Sequence, residues 1–288
     1  MTNESLYQKQ FQLLKSPPLF DIEASSACNE ACFFCPRSEM VRSKNHMSKD
    51  TMKFLANWLP KDATVMFSGL GESIFNPNLP FFIKILKEKG IGSCLITNGV
   101  FLDEMRMKNI VDAGIEEVQI SLHSLDEAEY QRITIKGGKL QTVLDNLTKL
   151  SKIYDGKIRL NVVNIGQTEL MLSRLEAFAK KHNAEYFERR LHNRGGRIDS
   201  NHTLTQDIKL CGIHSAVTFI TSDGDIISCV NDAPGENKLG NIRDFTWDKT
   251  LIWKESNLQN GLSCFNSCSD CDDEYRWTIL KQGGVDHR

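Results

Sequence analysis

The 288-residue chain lacks any apolar run near the roughly 20 residues a membrane-spanning helix needs; Phe81-Phe82-Ile83, for example, is broken at once by Lys84. It also lacks net charge. Lys plus Arg is 35 and Asp plus Glu is 37, a balance of −2, which excludes the strong positive field of a general nucleic-acid binder. Residues 1–10 are polar and carry no signal-peptide core. The expectation is therefore a cytoplasmic protein with neither a membrane nor a nucleic-acid partner. Repeats and low-complexity tracts are absent too. With 40% apolar residues and so little net charge, disorder is excluded. At about 150 residues per domain, the length suits one large domain or two unequal ones. What the chain does have is cysteine: nine residues, most of them clustered. In a reducing compartment such clusters read as metal ligands rather than disulfides.

The first two thirds alternate between two periodicities. Short apolar runs at Leu19–Ala24, Thr64–Ser68, Ser93–Thr97, Glu117–Ser121, Ile158–Asn164 and Tyr186–Arg190 suit buried parallel strands. Between them lie segments with helical spacing. Lys49–Trp58 follows a capping Ser48, and Leu79–Lys89 ends at Gly90. Asp103–Ala113, Leu140–Ile153 and Glu169–Lys181 obey the same logic. Repeated strand–helix alternation implies right-handed crossovers and a parallel sheet. The expected fold is α/β, a partial (β/α)6 TIM-like barrel, with a flat doubly wound sheet as the alternative. The pattern changes at Arg194-Gly195-Gly196. Val217–Thr221 and Ile226–Cys229 flank Ser222-Asp223-Gly224-Asp225, a hairpin signal. A short helix, Trp247–Ser256, and a cysteine cluster follow. The expected organisation is a barrel over 1–197 and a small hairpin-plus-helix iron–sulfur domain over 198–288.

Cys28, Cys32 and Cys35 are spaced C-x3-C-x2-C directly after the first strand. Three soft thiolates on one loop can hold three irons of a 4Fe–4S cube, leaving the fourth open to a small molecule. The alternatives are buried thiols or a partial zinc site, although zinc as a structural ion wants a fourth ligand.

This loop resembles the signature of the radical S-adenosylmethionine (SAM) superfamily. The resemblance implies an open iron that chelates SAM, reductive cleavage to a 5′-deoxyadenosyl radical, hydrogen abstraction, and a reducing partner of flavodoxin or ferredoxin type. It places Phe34 near the adenine. Ser68-Gly69-Leu70-Gly71-Glu72 is similar to the superfamily's G-G-E segment with one residue inserted. There Gly69 and Gly71 let backbone approach a ligand, and Glu72 accepts from the SAM ammonium. Asn98 ends strand three in Thr97-Asn98-Gly99. Ser121 stands where a serine contacts the ribose, with His123 in place of the usual Asp. Arg132 is the candidate for the SAM carboxylate, with Lys136 as substitute, and Asn164 is the candidate polar lid on the nucleoside.

Cys211, Cys229, Cys268 and Cys271 form a second set, from a hairpin and a distant C-x2-C chelate. The residues alone leave a four-cysteine zinc site open. The set resembles the twitch domain, a half-length SPASM extension, which implies a second 4Fe–4S cluster. Two cysteines remain. Cys94 reads as a small core residue. Cys264 reads as an alternate ligand, an inert thiol or a hydrogen-atom donor.

Residues just past barrel strand ends face the active site. Asn193-Arg194-Gly195-Gly196 lies there and is similar to a stretch in alcohol-oxidising twitch dehydrogenases, so Arg194 is the candidate catalytic residue for a substrate hydroxyl. Glu188, His192 and Asp232 are weaker candidates. Leu70 and Val230-Asn231 depart from those dehydrogenases, which implies a different pocket. The expected activity is alcohol oxidation on a sugar- or aminocyclitol-like molecule. Epimerisation and ribosomal-peptide modification are the alternatives, and a non-catalytic cluster- or zinc-binding protein is the alternative from another class.

Overall fold

The computed structural model describes residues 3–135, 138–200, 209–262 and 265–284. Helix α1 (Asn3–Leu13) precedes a run of strand–helix units. These are β1 (Leu19–Ile22), α2 (Lys49–Trp58), β2 (Thr64–Phe67), α3 (Leu79–Glu88), β3 (Gly92–Thr97), α4 (Glu104–Ala113) and β4 (Glu117–Ser121). They continue through α5 (Glu127–Thr134), α6 (Leu140–Ile153), β5 (Lys157–Asn164), α7 (Glu169–Lys181) and β6 (Glu185–Arg190). The expected strands and helices are all present, with bounds shifted by one or two residues. Ser48, Asp103 and Thr168 cap α2, α4 and α7 by accepting from backbone N–H groups, as short polar side chains do at a helix start.

β1 to β6 form one parallel sheet in chain order. Alternate residues face opposite sides. Phe20, Ile22, Val65, Phe67, Leu95, Val118, Ile120 and Leu160 are buried in the main core, with side chains of the helices. The other set, including Asp21, Met66, Cys94, Gln119 and Arg159, lines a cavity on the concave side. This is the expected partial barrel; helices cover its outside, and its inside mixes polar and charged side chains with apolar ones.

After β6 come α8 (Gly212–Ala216), β7 (Val217–Ile220), β8 (Asp225–Ile227), β9 (Lys238–Asn241), α9 (Trp247–Gln259), α10 (Asn266–Ser269) and α11 (Tyr275–Gln282). The expected hairpin is β7–β8, antiparallel. Its attachment was not legible: β7 pairs parallel with β1, from Leu19↔Val217 to Ile22↔Ile220. The sheet therefore runs β6-β5-β4-β3-β2-β1-β7-β8-β9 without a break. Lys254 of α9 is buried and donates to the Val217 carbonyl (3.0 Å) and Thr218 Oγ1 (2.9 Å), fixing that helix against β7.

The glycines after β2 line the cavity and have a packing role besides. A Cβ on Gly71 would stand 2.0 Å from the Ser25 carbonyl oxygen, and one on Gly69 would stand 2.8 Å from Glu23 Cβ. They let this loop pack against the exit of β1. Gly71→Ala is therefore expected to lower stability by about 2–4 kcal/mol, since the obstacle is backbone that cannot yield. A chemical melt of the protein measures it; an unchanged midpoint would contradict the close approach.

Candidate active site

The cavity is about 820 Å³ and is lined from the amino ends of the strands to the loops at their carboxyl ends. Cys28, Cys32 and Cys35 sit on its wall, brought there because β1 ends at Ile22 and the chain turns across the barrel mouth. The Glu30 carboxylate braces this loop: Tyr130 Oη donates to Oε1 (2.8 Å) and Cys32 Sγ to Oε2 (3.5 Å). Arg37 donates to the Glu30 carbonyl at 2.7 Å. Burial pushes the Cys28 thiol up to about 11 and raises Cys32 further. Such thiols stay protonated unless a bound metal compensates the thiolate charge.

Phe34 is buried and meets His123 edge-on, with ring centroids 5.2 Å apart. Glu72 is buried beside them and lines the cavity. Its Oε2 accepts from the Asn98 backbone N–H (2.8 Å) and its Oε1 from that of Ile74 (3.2 Å). Burial nevertheless pushes it up to about 7. Asn98 donates from Nδ2 to Asn29 Oδ1 at 2.9 Å, tying strand three's end to the cysteine loop. Ser121 and His123 line the same cavity. The Val163 N–H donates to His123 Nδ1 at 3.0 Å. That makes Nε2 the protonated nitrogen of a neutral ring, and burial, with Arg194 nearby, holds the imidazole down near 4.

Of the residues expected at the SAM site, Phe34, Gly69, Gly71, Glu72, Asn98 and Ser121 converge on this cavity. Arg132 and Asn164 do not border it. Arg132 is exposed, forms an i,i+3 pair with Glu129 at 2.6 Å and lies over the Phe33 ring. Helix α5 turns that face to solvent, so sequence spacing brought the right residue type to the wrong side. Asn164 Nδ2 donates to Glu188 Oε1 at 2.8 Å, outside the barrel mouth. Asn161, three residues earlier, is the β5 asparagine that lines the cavity. Lys136 and Cys264 lie outside the described residues.

The second cysteine set also converges. Cys229 feels the charges of Cys271, Cys211 and Cys268 together, and burial raises it well above a free thiol. Arg276, 1% exposed, holds this region. It donates from Nη1 to the carbonyls of Cys268 (2.8 Å) and Cys271 (3.0 Å), and from Nε to that of Leu210 (3.2 Å). Among the described residues, no group of three or more His, Cys, Asp or Glu side chains is close enough to hold a single metal ion.

The Asn193–Gly196 segment joins the two halves. The Asn193 N–H donates to Asp272 Oδ1 at 2.6 Å, and its Oδ1 accepts from the N–H of Asp272 and Gly195. A Cβ on Gly195 would meet Ser267 at 2.8 Å. Arg189 pairs with Asp273 at 3.1 Å, and Arg190 donates to the Asp272 carbonyl at 2.6 Å. The turn therefore docks on the Cys268–Cys271 loop and aims Arg194 into the cavity. Arg194 has φ +53 and a buried Nε without a hydrogen-bond partner. Cys35, Asp273 and Cys229 all act on its charge, so it stands between the two cysteine sets. His192 is buried against Asp273 (3.4 Å), and Asp232 accepts two backbone N–H groups in its own loop. Like Glu188, neither borders the cavity.

Cys94 differs from its expectation as a core residue. It is half-buried and its position on β3 faces the cavity. Sequence reasoning also missed Asp272, Asp273 and Arg276, whose density around Cys271 was the available signal. It missed Glu23 as well. Arg42 pairs with both Glu23 oxygens (2.5 and 2.6 Å), and Ser222 Oγ of the hairpin turn donates to Oε1 at 3.1 Å.

A parallel half-barrel with three loop cysteines at its open end defines a cluster-bearing enzyme of the partial-barrel class. The sequence profile of the radical SAM superfamily matches residues 22–179, and the chain belongs to that superfamily. It is a radical SAM enzyme. The superfamily's 4Fe–4S cluster and SAM fit this donor set: three cysteines and Glu72 share one cavity wall. The chain is 24% identical over 231 residues to the S-adenosyl-L-methionine-dependent 2-deoxy-scyllo-inosamine dehydrogenase of Niallia circulans, covering 78% of each. It is 28% identical over 168 residues to a probable GTP 3′,8-cyclase of Methanococcus maripaludis, and it spans only 55% of that cyclase's length. Among solved structures, BtrN in complex with AdoMet and 2-DOIA superposes with a TM-score of 0.60 at 19% identity, over 90% of this chain and 94% of that one. Streptococcus suis SuiB bound to precursor peptide SuiA gives 0.69 at 14% identity, over 91% and 71%. Both likenesses are of fold. Among the described residues, no helix is long and apolar enough to cross a membrane.

Proposed function

We propose that the enzyme oxidises an alcohol carbon of a polar small molecule, with an auxiliary twitch-type cluster on Cys211, Cys229, Cys268 and Cys271. The observation that carries this reading is the Arg194 guanidinium, buried without a partner at Nε between the two cysteine sets. When bound, SAM and the two clusters supply a hydrogen-abstracting radical and an electron acceptor. The residues of the chain do the rest. Cys28, Cys32 and Cys35 would hold the first cluster, Glu72 and the Asn98 turn would accept and orient the amino-acid end of SAM, and Phe34, Ser121 and the Nε2–H of His123 would serve its nucleoside. Arg194 receives the substrate oxygen and favours its deprotonation as charge develops there. The carbinol thus loses one hydrogen atom from carbon, a proton from oxygen and one electron, and becomes a carbonyl. A reducing partner of flavodoxin or ferredoxin type delivers the electron that starts each turnover.

Cys94 on the cavity wall favours a second reading. A thiol there can return a hydrogen atom, giving epimerisation without net oxidation. Product mass in deuterium oxide separates the two, with 2-deoxy-scyllo-inosamine as the first probe. The expected result is a product about two mass units lighter than substrate, one SAM consumed per turnover, and no loss in Cys94→Ser. An otherwise unchanged product that gains one deuterium, and disappears in Cys94→Ser, would replace oxidation with epimerisation.

A further inference from the structure

The charged groups lining the cavity are almost all satisfied. Arg159 pairs with Glu117 (3.4 Å) and Glu185 (3.2 Å), Lys157 with Glu185 (2.9 Å) and Arg189 with Asp273 (3.1 Å). Glu30 and Glu72 have both carboxyl oxygens hydrogen-bonded. Glu116 stands at the exposed rim. Two groups differ. Arg194 lies in no ion pair among the described residues; its Nη1 donates to Asn231 Oδ1 at 3.5 Å, and its buried Nε, like Lys157 Nζ beside its ion pair, has no hydrogen-bond partner. Asp21, on β1, is 5% exposed and accepts one hydrogen bond, from Ser68 Oγ to Oδ1 at 2.5 Å. Among the described residues, no hydrogen bond or ion pair reaches its Oδ2, although its side chain borders the cavity.

From this geometry we infer that Asp21 is the recognition site for a protonated amine on the substrate, with Arg194 receiving an oxygen of the same molecule. The inference rests on the reading that a polar small molecule enters this cavity, and is independent of the reaction it undergoes.

A buried carboxylate without a cation is costly. Burial, with Glu23 adding to it, pushes Asp21 up to about 7. A hydroxyl could donate to Oδ2 but brings no charge, whereas an ammonium supplies the missing counter-charge and a charge-assisted hydrogen bond. The neighbouring cations are not free to serve: Arg42 is held by Glu23, and Arg159 by Glu117 and Glu185. The SAM ammonium is assigned elsewhere, at Glu72 beside Cys28. Asp21 is two residues into β1, opposite Met66 of β2 and Phe219 of β7, down inside the barrel. The substrate class is thus an amine that also carries hydroxyl or other acceptor oxygens.

The test is anaerobic calorimetric binding to the cluster-loaded protein with SAM and without reductant, so that nothing turns over. The probes are 2-deoxy-scyllo-inosamine and the same ring with a hydroxyl in place of the amine. Wild type is expected to bind the amine about 10- to 100-fold tighter, the range of one charge-assisted hydrogen bond. Asp21→Asn is expected to bring the two within about threefold, with SAM affinity and iron content unchanged. Asp21→Ser gives the same comparison if Asn disturbs folding. Equal affinities in wild type, a preference that survives both variants, or no binding of either probe would each overturn the inference. Asp21-dependent binding of an amine that the reduced enzyme does not oxidise would leave it standing and sink the oxidation instead.

Discussion

Replacing Cys28, Cys32 and Cys35 together with alanine is expected to abolish conversion of SAM to 5′-deoxyadenosine and to lower bound iron from about eight per chain to about four. The three thiols share the wall of a cavity that also holds Glu72 and Asn98. The remaining irons belong, on the proposed reading, to Cys211, Cys229, Cys268 and Cys271. Iron and sulfide assays on anaerobically reconstituted protein, with chromatographic detection of 5′-deoxyadenosine under strong reductant, measure both effects. Wild-type protein holding about four irons together with zinc would remove the second cluster from the account. Residual SAM cleavage in the triple variant would remove the first.

Arg276→Ala should be strongly damaging at the proposed auxiliary site. It leaves three buried carbonyls, of Leu210, Cys268 and Cys271, without their donor. It also takes the charge from beside the Cys211, Cys271 and Cys268 thiols, the cause of its own raised basicity. The expected cost is about 3–5 kcal/mol of stability, together with loss of roughly half the iron as the Cys268–Cys271 loop loses its shape. Arg276→Lys restores a charge but cannot span three carbonyls in a fork, and should recover only part of the iron. Urea unfolding and iron content are the measurements. An Arg276→Ala protein with full iron and a wild-type midpoint would show that the loop holds its geometry without this residue.

The barrel was legible because its signals are local. Ser48, Asp103 and Thr168 cap helices within three residues of themselves, and a short apolar run such as β2 or β3 is a property of each strand alone. The first cysteine loop was legible for the same reason, since C-x3-C-x2-C places three ligands within one turn of chain. The sequence by itself thus determined the partial barrel, the superfamily and the loop of three cysteines at the cavity. What joins distant segments had no local signal. Only the tertiary structure paired β7 with β1, docked Asn193–Gly196 on the Cys268–Cys271 loop and left the buried Nε of Arg194 unpartnered. Only it turned Arg132 to solvent, and Cys94 and Asp21 to the cavity. The reason is physical: the period-2 pattern sorts a strand's residues into two faces, but which face becomes core and which encloses a void depends on how the whole sheet curves.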